Sequence, residues 1–426
     1  MSYQLVAAMF GKWLDVTGPN PAVCTLNQPD PHPTIAAYLV LFLASLLLGV
    51  ASTPAVRWLA LRSGVVNAPS ARNIHLSPVP LLGGLAIYFA CMVALIAFSA
   101  SLIPFYVPQL VAILGGASFI SFCGLLDDKW GLPAWMRLGA QLGVAAVLVI
   151  GTKVKFDFLP QNLPGDWANI LVSLIWVVGI TNAINFLDNM DGLSAGVSAI
   201  AAAFFFIVAF ASGQWLVAAL GAALAGAAFG FVYHNFGIIK SRTSIFMGDS
   251  GALFLGHLLA AIGLKLHFPI NCSTVYDYAP VTWLVPMLIL GLPIFDTSLV
   301  VFSRLRRHLP PLRGGKDHTS HRLVALGLSR REAVLVLYII EGALGLSGLL
   351  VTLLKNSDGS SDGYIVAGLV LLLAIWAAVR LEQLPLINTN PKVEGWGKGL
   401  SAARKRSKQS ATEPIVPVAP EETKTH

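Results

Sequence analysis

Eleven apolar runs, separated by short polar connections, set the pattern of the chain. They lie near residues 36–60, 80–100, 105–126, 136–152, 167–187, 195–212, 215–236, 248–268, 279–303, 331–354 and 363–381. A helix needs roughly 20 apolar residues to cross the hydrocarbon core of a bilayer. Backbone in lipid must also satisfy its own hydrogen bonds, which a run of this length does as a helix. The pattern predicts an all-α integral membrane protein, a bundle of about eleven transmembrane helices. The fourth run is short and the break near Gly213 is weak, so ten spans is the alternative. No internal repeat is evident, which counts against many secondary transporters.

Composition agrees with the pattern. Hydrophobic residues make up 56% of the 426 and charged residues 12%, against about a quarter charged in a soluble domain. The net charge of +7 would suit nucleic acid, but its carriers sit in connections between apolar runs, so orientation in a membrane explains them better. With the N-terminus outside, only Lys12, Lys153, Lys155, Lys265 and Lys355 of the 28 Lys and Arg fall on the outer side. The basic side is expected to be cytoplasmic, which places the C-terminus inside. The start of the chain has no basic stretch followed by an apolar core, so no cleavable signal is expected.

Three regions follow from this reading: an outer N-terminal segment (1–35), a polytopic domain (36–385) and a disordered, basic cytoplasmic tail (386–426). In the first, Leu5, Val6, Met9, Phe10, Trp13 and Leu14 form a stripe suited to the membrane interface; a frayed start is the equal alternative. The tail is basic around Lys398–Lys408 and suited to anionic lipid. Cys24, Cys91, Cys123 and Cys272 show no CxxC spacing, which argues against zinc. Cys24 and Cys272 share the outer side, where a disulfide or two free thiols are both open; Cys91 and Cys123 read as packing residues.

Charges in or beside spans are costly and usually functional. Here they gather in four places: Asp127-Asp128 after the third run; Asn182, Asn185, Asp188 and Asp191 closing the fifth; Asp249, in Phe246-Met-Gly-Asp-Ser-Gly251, opening the eighth; and His318 and His321 after the ninth. All four fall on the basic side. Carboxylates suit Mg²⁺, which bridges phosphate oxygens while basic side chains clamp the rest. Adjacent Asp127 and Asp128 cannot point the same way on a regular helix. Each cluster also has a plainer reading: Asp249 as a helix cap, Asp-Asp as a solvated turn, the asparagines as helix–helix bonds, the histidines as solvated. Asp296 is placed to pair with Arg304 within the bundle, and Glu341 lies deep in the tenth run.

These residues resemble the polyprenyl-phosphate N-acetylhexosamine-1-phosphate transferases, glycosyltransferase family 4. The resemblance runs from about Asn67 to Leu326 in five ordered motifs: Ala71–His75 with Pro78–Gly84, Asp127-Asp128 with Gly131-Leu132, Asn182–Leu193, Phe246–Gly251 and His318–Leu323. It implies that Asp249 binds magnesium, with Asp128 as a second ligand, and that one of Asp127 and Asp128 deprotonates the lipid phosphate. Asp188 would be catalytic, as would His318 and His321 in the loop that holds the sugar and diphosphate. Asn182, Asn185, Asp191, Phe246, Arg137, Arg322, Arg72 and His75 would bind substrate, with Phe246 against the uracil and Gln141 one turn from Arg137.

The chain departs from the family pattern at Ser320, where the loop's middle histidine is usual, at Asn189-Met190 for the commoner Gly-Leu, and at Leu81 for a frequent Arg. The loop favours the UDP-GlcNAc branch over the MurNAc-pentapeptide translocases. The implied activity is a Mg-dependent phosphoglycosyltransferase that moves GlcNAc-1-phosphate from its UDP-sugar to undecaprenyl phosphate and releases UMP, the initiating step of a cell-envelope glycan. Mn²⁺ is the alternative cofactor. The expected partners are a UDP-N-acetylhexosamine, a polyprenyl phosphate and membrane lipids, with a homodimer as a candidate assembly and no nucleic acid. The rival classes are an ion-coupled transporter, an intramembrane aspartyl protease and an inactive scaffold. A transporter would place its acids at mid-membrane, usually in repeated halves, and a protease would leave the His-Arg loop and the asparagine run without a use.

Overall fold

A computed structural model of the chain describes residues 33–67, 79–99, 107–152, 154–156, 167–237, 245–266, 281–311, 315–354 and 362–383. Thirteen α-helices occur among them: α1 (Ile35–Ser63), α2 (Gly84–Ser99), α3 (Val107–Trp130), α4 (Ala134–Ala146), α5 (Trp167–Leu187), α6 (Leu193–Ala211), α7 (Trp215–Asn235), α8 (Gly248–Lys265), α9 (Val281–Ile289), α10 (Gly291–Arg306), α11 (Thr319–Ala325), α12 (Arg330–Leu353) and α13 (Asp362–Glu382). A π-helical turn, Val147–Gly151, prolongs α4. Two short strands, β1 (Val66–Asn67) and β2 (Val79–Pro80), pair antiparallel between α1 and α2.

Among the described residues each apolar run contributes helix, and the protein is an all-α integral membrane protein. Eight helices are long and apolar enough to cross a membrane, or nine if α9 and α10 count as one bent span. Two of the eleven runs fall short of that standard. α2 has 16 residues. The mean hydropathy of α8 is lowered by Asp249, His257 and Lys265. The ninth run is one stretch in sequence but two helices in space, meeting at 76°. Gly291 and Pro293 explain the break, since one weakens the helix and the other removes a backbone donor.

α8 is the axis of the bundle. Every residue from Ser250 to Leu264 is buried, and α2, α3, α5 and α6 pack around it. α7 is nearly as enclosed. It lies so close to α1 that a Cβ on Gly226 would overlap the Phe42 carbonyl, and one on Gly230 the Leu46 carbonyl. Helices in lipid gain nothing from excluding water, so small residues that permit such close van der Waals packing hold the pair together. Around this centre, α13 turns Leu369, Leu371, Leu372, Leu373 and Trp376 outward, as a lipid-facing helix should. Local chemistry sets several ends. Gly64 closes α1 at φ 71°, and Ser329 and Glu332 form a reciprocal capping box on α12.

Cys91 is buried in the core and Cys123 is half-buried. Cys24, Cys272, the tail beyond 383 and nearly all of the 1–35 segment lie outside the described residues.

Replacing Gly226 by Leu forces a large side chain into the Phe42 backbone. Overpacking of this kind costs about 1–3 kcal/mol or more. The thermal midpoint of the purified protein in detergent should drop by several degrees, and an unchanged midpoint would show that α1 and α7 are not in this contact.

Candidate active site

The site is built on the first turn of α8. The first N–H groups of a helix have no partner within it. Here two are met by Asp128, at the end of α3: Oδ1 accepts from the Asp249 N–H at 2.8 Å and Oδ2 from the Ser250 N–H at 3.1 Å. Gly248, just before them, has φ 76°, and a side chain there would strike the Asp128 carboxylate and the Leu81 carbonyl. Glycines let the other elements close in. Gly84 lies against the Gly251 backbone, and a Cβ on Gly124 would press into that of Ser250. The segment after β2 docks alongside: Phe246 N–H donates to Pro80 O, Gly83 N–H to Phe246 O and Gly84 N–H to Met247 O. Phe246 is thereby held by backbone on both sides.

With α8 so placed, Asp249 becomes the meeting point of three helices. Asn185 of α5 donates to its Oδ1 at 2.7 Å. Arg137 of α4 lies 3.6 Å from its Oδ2 and 2.8 Å from Asp127 Oδ2. The other Asp127 oxygen accepts the Leu132 N–H at 2.6 Å. The two adjacent aspartates do diverge, Asp127 toward α4 and Asp128 toward α8. One turn further into the bundle, the amides of Gln141 and Asn182 bond to each other. This fixes the register of α4 on α5 that brings Arg137 and Asn185 to the same carboxylate.

Below these groups opens a cavity of about 610 Å³, within the usual range for a small-molecule site. Asp128, Asn185, Asp188, Asn189, Asp191 and Asp249 line it, with Phe246, Leu81, Asn235 and Phe236 beside them and Arg330 and Arg331 on the α12 wall. Asn235 ties the wall together. Its Oδ1 accepts from Gly192 N–H and its Nδ2 donates to Ile245 O. Arg331 reaches the carbonyls of Phe236 and Gly237 and lies over the Phe236 ring. Burial pushes the Asp188 carboxyl well above the usual carboxylate range, and the charges of Asp249, Asp191 and Asp128 push it further. Among the described residues no donor bonds to that carboxyl.

The histidine segment docks beside the cavity without lining it. His318 Nδ1 lies 2.8 Å from Asp296 Oδ2, and Thr319 N–H donates to Asp296 Oδ1 at 2.6 Å. Arg304 pairs with both oxygens of Asp317. Burial works against ionisation of Asp317, but these bonds and the Arg304 charge hold its carboxyl below the usual range. Ser320 Oγ donates to Asn189 Oδ1 at 2.6 Å, which links the segment to the cavity wall. His321 has no such tie. Burial and the nearby His318, Lys316 and Arg330 lower its pKa to about 4, so its ring is neutral at physiological pH.

The family model described as glycosyl transferase family 4 matches residues 110–267, the stretch that carries Asp127, Asp128, Asn185, Asp188, Asp191 and Asp249. The chain is 34% identical, over 82% of its length and 93% of the relative, to a probable undecaprenyl-phosphate N-acetylglucosaminyl 1-phosphate transferase of Bacillus subtilis (strain 168). The chain belongs to glycosyl transferase family 4. A decaprenyl-phosphate N-acetylglucosaminephosphotransferase of Mycolicibacterium smegmatis is 32% identical over 79% of this chain and 85% of its own. The undecaprenyl-phosphate alpha-N-acetylglucosaminyl 1-phosphate transferase of Escherichia coli (strain K12) is 27% identical over 69% and 78%.

For this family 4 chain, the structure gathers Asp128, Asn185, Asp188, Asp191, Phe246 and Asp249 around one cavity, with Asp127 and Arg137 at its edge. Other expected residues are placed differently. Arg322 is 1% exposed. Its donors are spent on Asp317 O, Leu381 O, Ser303 and Glu382, so it locks α11 to α13 and is not in reach of a substrate. Asn182 spends its amide on Gln141 and Val178 O, which makes it a brace. Asp296 pairs with His318, where a bond to Arg304 was expected, because Arg304 is taken by Asp317. His318 and His321 stand outside the cavity lining. Arg72 and His75 lie outside the described residues. The sequence reading passes over Arg330, Arg331 and Asn235 as site residues, and notes Asn189 only as a departure from the family pattern. The two arginines counted only toward orientation, although a basic pair opening a helix beside an acidic cluster was a readable signal.

Two outcomes follow from this geometry. Asp128→Asn keeps one acceptor for the amides of α8, and Asp128→Ala keeps none. Thermal stability should fall in the order wild type, D128N, D128A, with D128A lower by about 1–3 kcal/mol; equal midpoints would remove the capping account. For His321, the unfolded chain takes up a proton near its ordinary value of 6.5 and the folded chain only near 4. Stability contributed at this position is therefore lost as pH falls across that window. The midpoint of wild type should drop more steeply on acidification than that of His321→Asn.

Proposed function

We propose that this chain transfers N-acetylglucosamine 1-phosphate from UDP-N-acetylglucosamine to a polyprenyl phosphate and releases UMP, in keeping with the names its relatives carry. The observation that carries the reading is the convergence of Asp128, Asn185, Asp188, Asp191 and Asp249 on one cavity at the membrane-edge turn of α8. That is the donor chemistry for a cation-assisted phosphoryl transfer. The basic bias of the sequence supports a cytoplasmic site with the C-terminus on the same side.

A divalent metal is part of the proposal. Among the described residues no three His, Cys, Asp or Glu side chains are arranged to hold an ion by themselves. Mg²⁺ does not ask for that, since it binds through one or two carboxylates and completes its shell with water and substrate phosphate. The donor set fits: hard carboxylate and amide oxygens line the cavity. Asp249 would be the first ligand. Asp128 could join it only through lone pairs that the α8 amides leave over. When bound, the ion would neutralise charge on the diphosphate.

The chain's own residues divide the remaining work. Arg137, Arg330 and Arg331 stand where they can meet phosphate oxygens, and Phe246 offers a rigid ring face for the uracil. An oxygen of the lipid phosphate attacks the β-phosphorus, the bond from that phosphorus to the bridging oxygen breaks, and UMP leaves with that oxygen. If the lipid phosphate arrives protonated, Asp188 is the acceptor we favour. It lines the cavity without a hydrogen-bonded partner, and a raised pKa suits a general base. Asp127 is already committed to Leu132 and Arg137. The same commitments weigh against a covalent aspartyl-phosphate on Asp127 or Asp128.

Purified protein incubated with radiolabelled UDP-N-acetylglucosamine, polyprenyl phosphate and Mg²⁺ should yield a lipid-linked sugar and UMP. Chelation should stop the reaction and added Mg²⁺ restore it. Losing one electrostatic element of a site typically costs about 100- to 1,000-fold in kcat, and Asp249→Asn and Asp188→Asn should each fall in that range. No lipid-linked product with any divalent metal would refute the reading for this donor. A phospho-enzyme trapped by rapid quench would replace direct attack with the covalent route.

A further inference from the structure

We propose that Asp296 is a positioning residue for the transfer, acting through His318: from Nδ1 it fixes the orientation and tautomer of a ring that stands beside the cavity, against Phe186 at the end of α5. The inference rests on the transferase reading above.

Asp296 is the only acid in α10 and is 1% exposed. A buried carboxylate is costly unless its oxygens are satisfied. Each has one partner here, His318 Nδ1 at 2.8 Å and the Thr319 N–H at 2.6 Å. Arg304, the nearest cation in sequence, is engaged with Asp317. His318 is itself buried, its ring 6.4 Å from that of Phe186 and 6.3 Å from that of His321, both edge-on. An imidazole whose Nδ1–H donates to a carboxylate is fixed in plane and tautomer, and its Nε2 is then an acceptor if the ring is neutral. Acid–histidine pairs that orient a working imidazole share this arrangement.

The rival account is that Asp296 merely fastens the segment. The segment is already fastened without it. Arg304 holds Asp317, Ser320 is bonded to Asn189, and Arg322 reaches Asp317 O, Ser303, Leu381 O and Glu382. What no other described residue supplies is a hydrogen-bond partner for the His318 ring.

Asp296→Asn separates the two accounts. The asparagine oxygen can still accept from Thr319 N–H, while its NH₂ faces His318 and demands the opposite tautomer. We expect D296N to keep its thermal midpoint and its KM for both substrates within about twofold, and to lose about tenfold or more in kcat. Added to His318→Ala, it should change nothing further, since positioning a ring that is absent has no effect. Wild-type kcat in D296N, full activity in H318A, or an equal proportional loss from D296N in the H318A background would each overturn the proposal. The ¹⁵N spectrum of histidine-labelled wild-type protein in lipid needs no variant to fold. His318 should carry its proton on Nδ1, and a neutral ring protonated only at Nε2 would overturn the pairing. Absence of lipid-linked product from wild type would instead sink the transferase reading, and the spectrum would still judge the pair by itself.

Discussion

One carboxylate and two backbone amides hold the site together. The N-terminus of α8 is enclosed by the bundle, where an unmet N–H would cost about 1–3 kcal/mol. Asp128 meets two of them. Everything functional is hung from that joint. It aims Asp249, whose oxygens then collect Asn185 and Arg137. Gly84, Gly124 and Gly248 are small because the joint leaves no volume for a side chain. The first turn of α8 is therefore placed by α3, α2 and the β2 segment, before any substrate arrives.

Polarity inside this bundle is organised in two tiers. Deeper in, the Gln141–Asn182 amide pair satisfies itself and sets helix register. At the edge, Arg137 bridges Asp127 and Asp249, and Arg330 and Arg331 line the α12 wall of the cavity. Acidic and basic side chains thus face one another across the cavity.

Much of the fold was legible because lipid leaves the backbone few choices. An apolar run of about 20 residues has to be a helix, and among the described residues each run contributes helix. The 76° break at Leu290 was not legible, since the apolar pattern runs through it. Within the site, residue types and their common face were readable, but pairings were not. Arg304 had two acids within reach, Asp296 at 8 residues and Asp317 at 13, and periodicity favoured the wrong one. Arg322 sits inside a motif whose other members suggested substrate contact, and only the return of α13 to its side explains its burial. Asp249 was read as a candidate cap for α8; the cap is Asp128, more than a hundred residues earlier in the chain.

The bond between Ser320 and Asn189 has a consequence of its own. Both positions depart from the pattern the rest of the chain resembles, and in space they touch. A glycine at 189 would offer Ser320 no side-chain acceptor. The two side chains form one latch, so a change at either removes the bond that ties the histidine segment to the cavity wall.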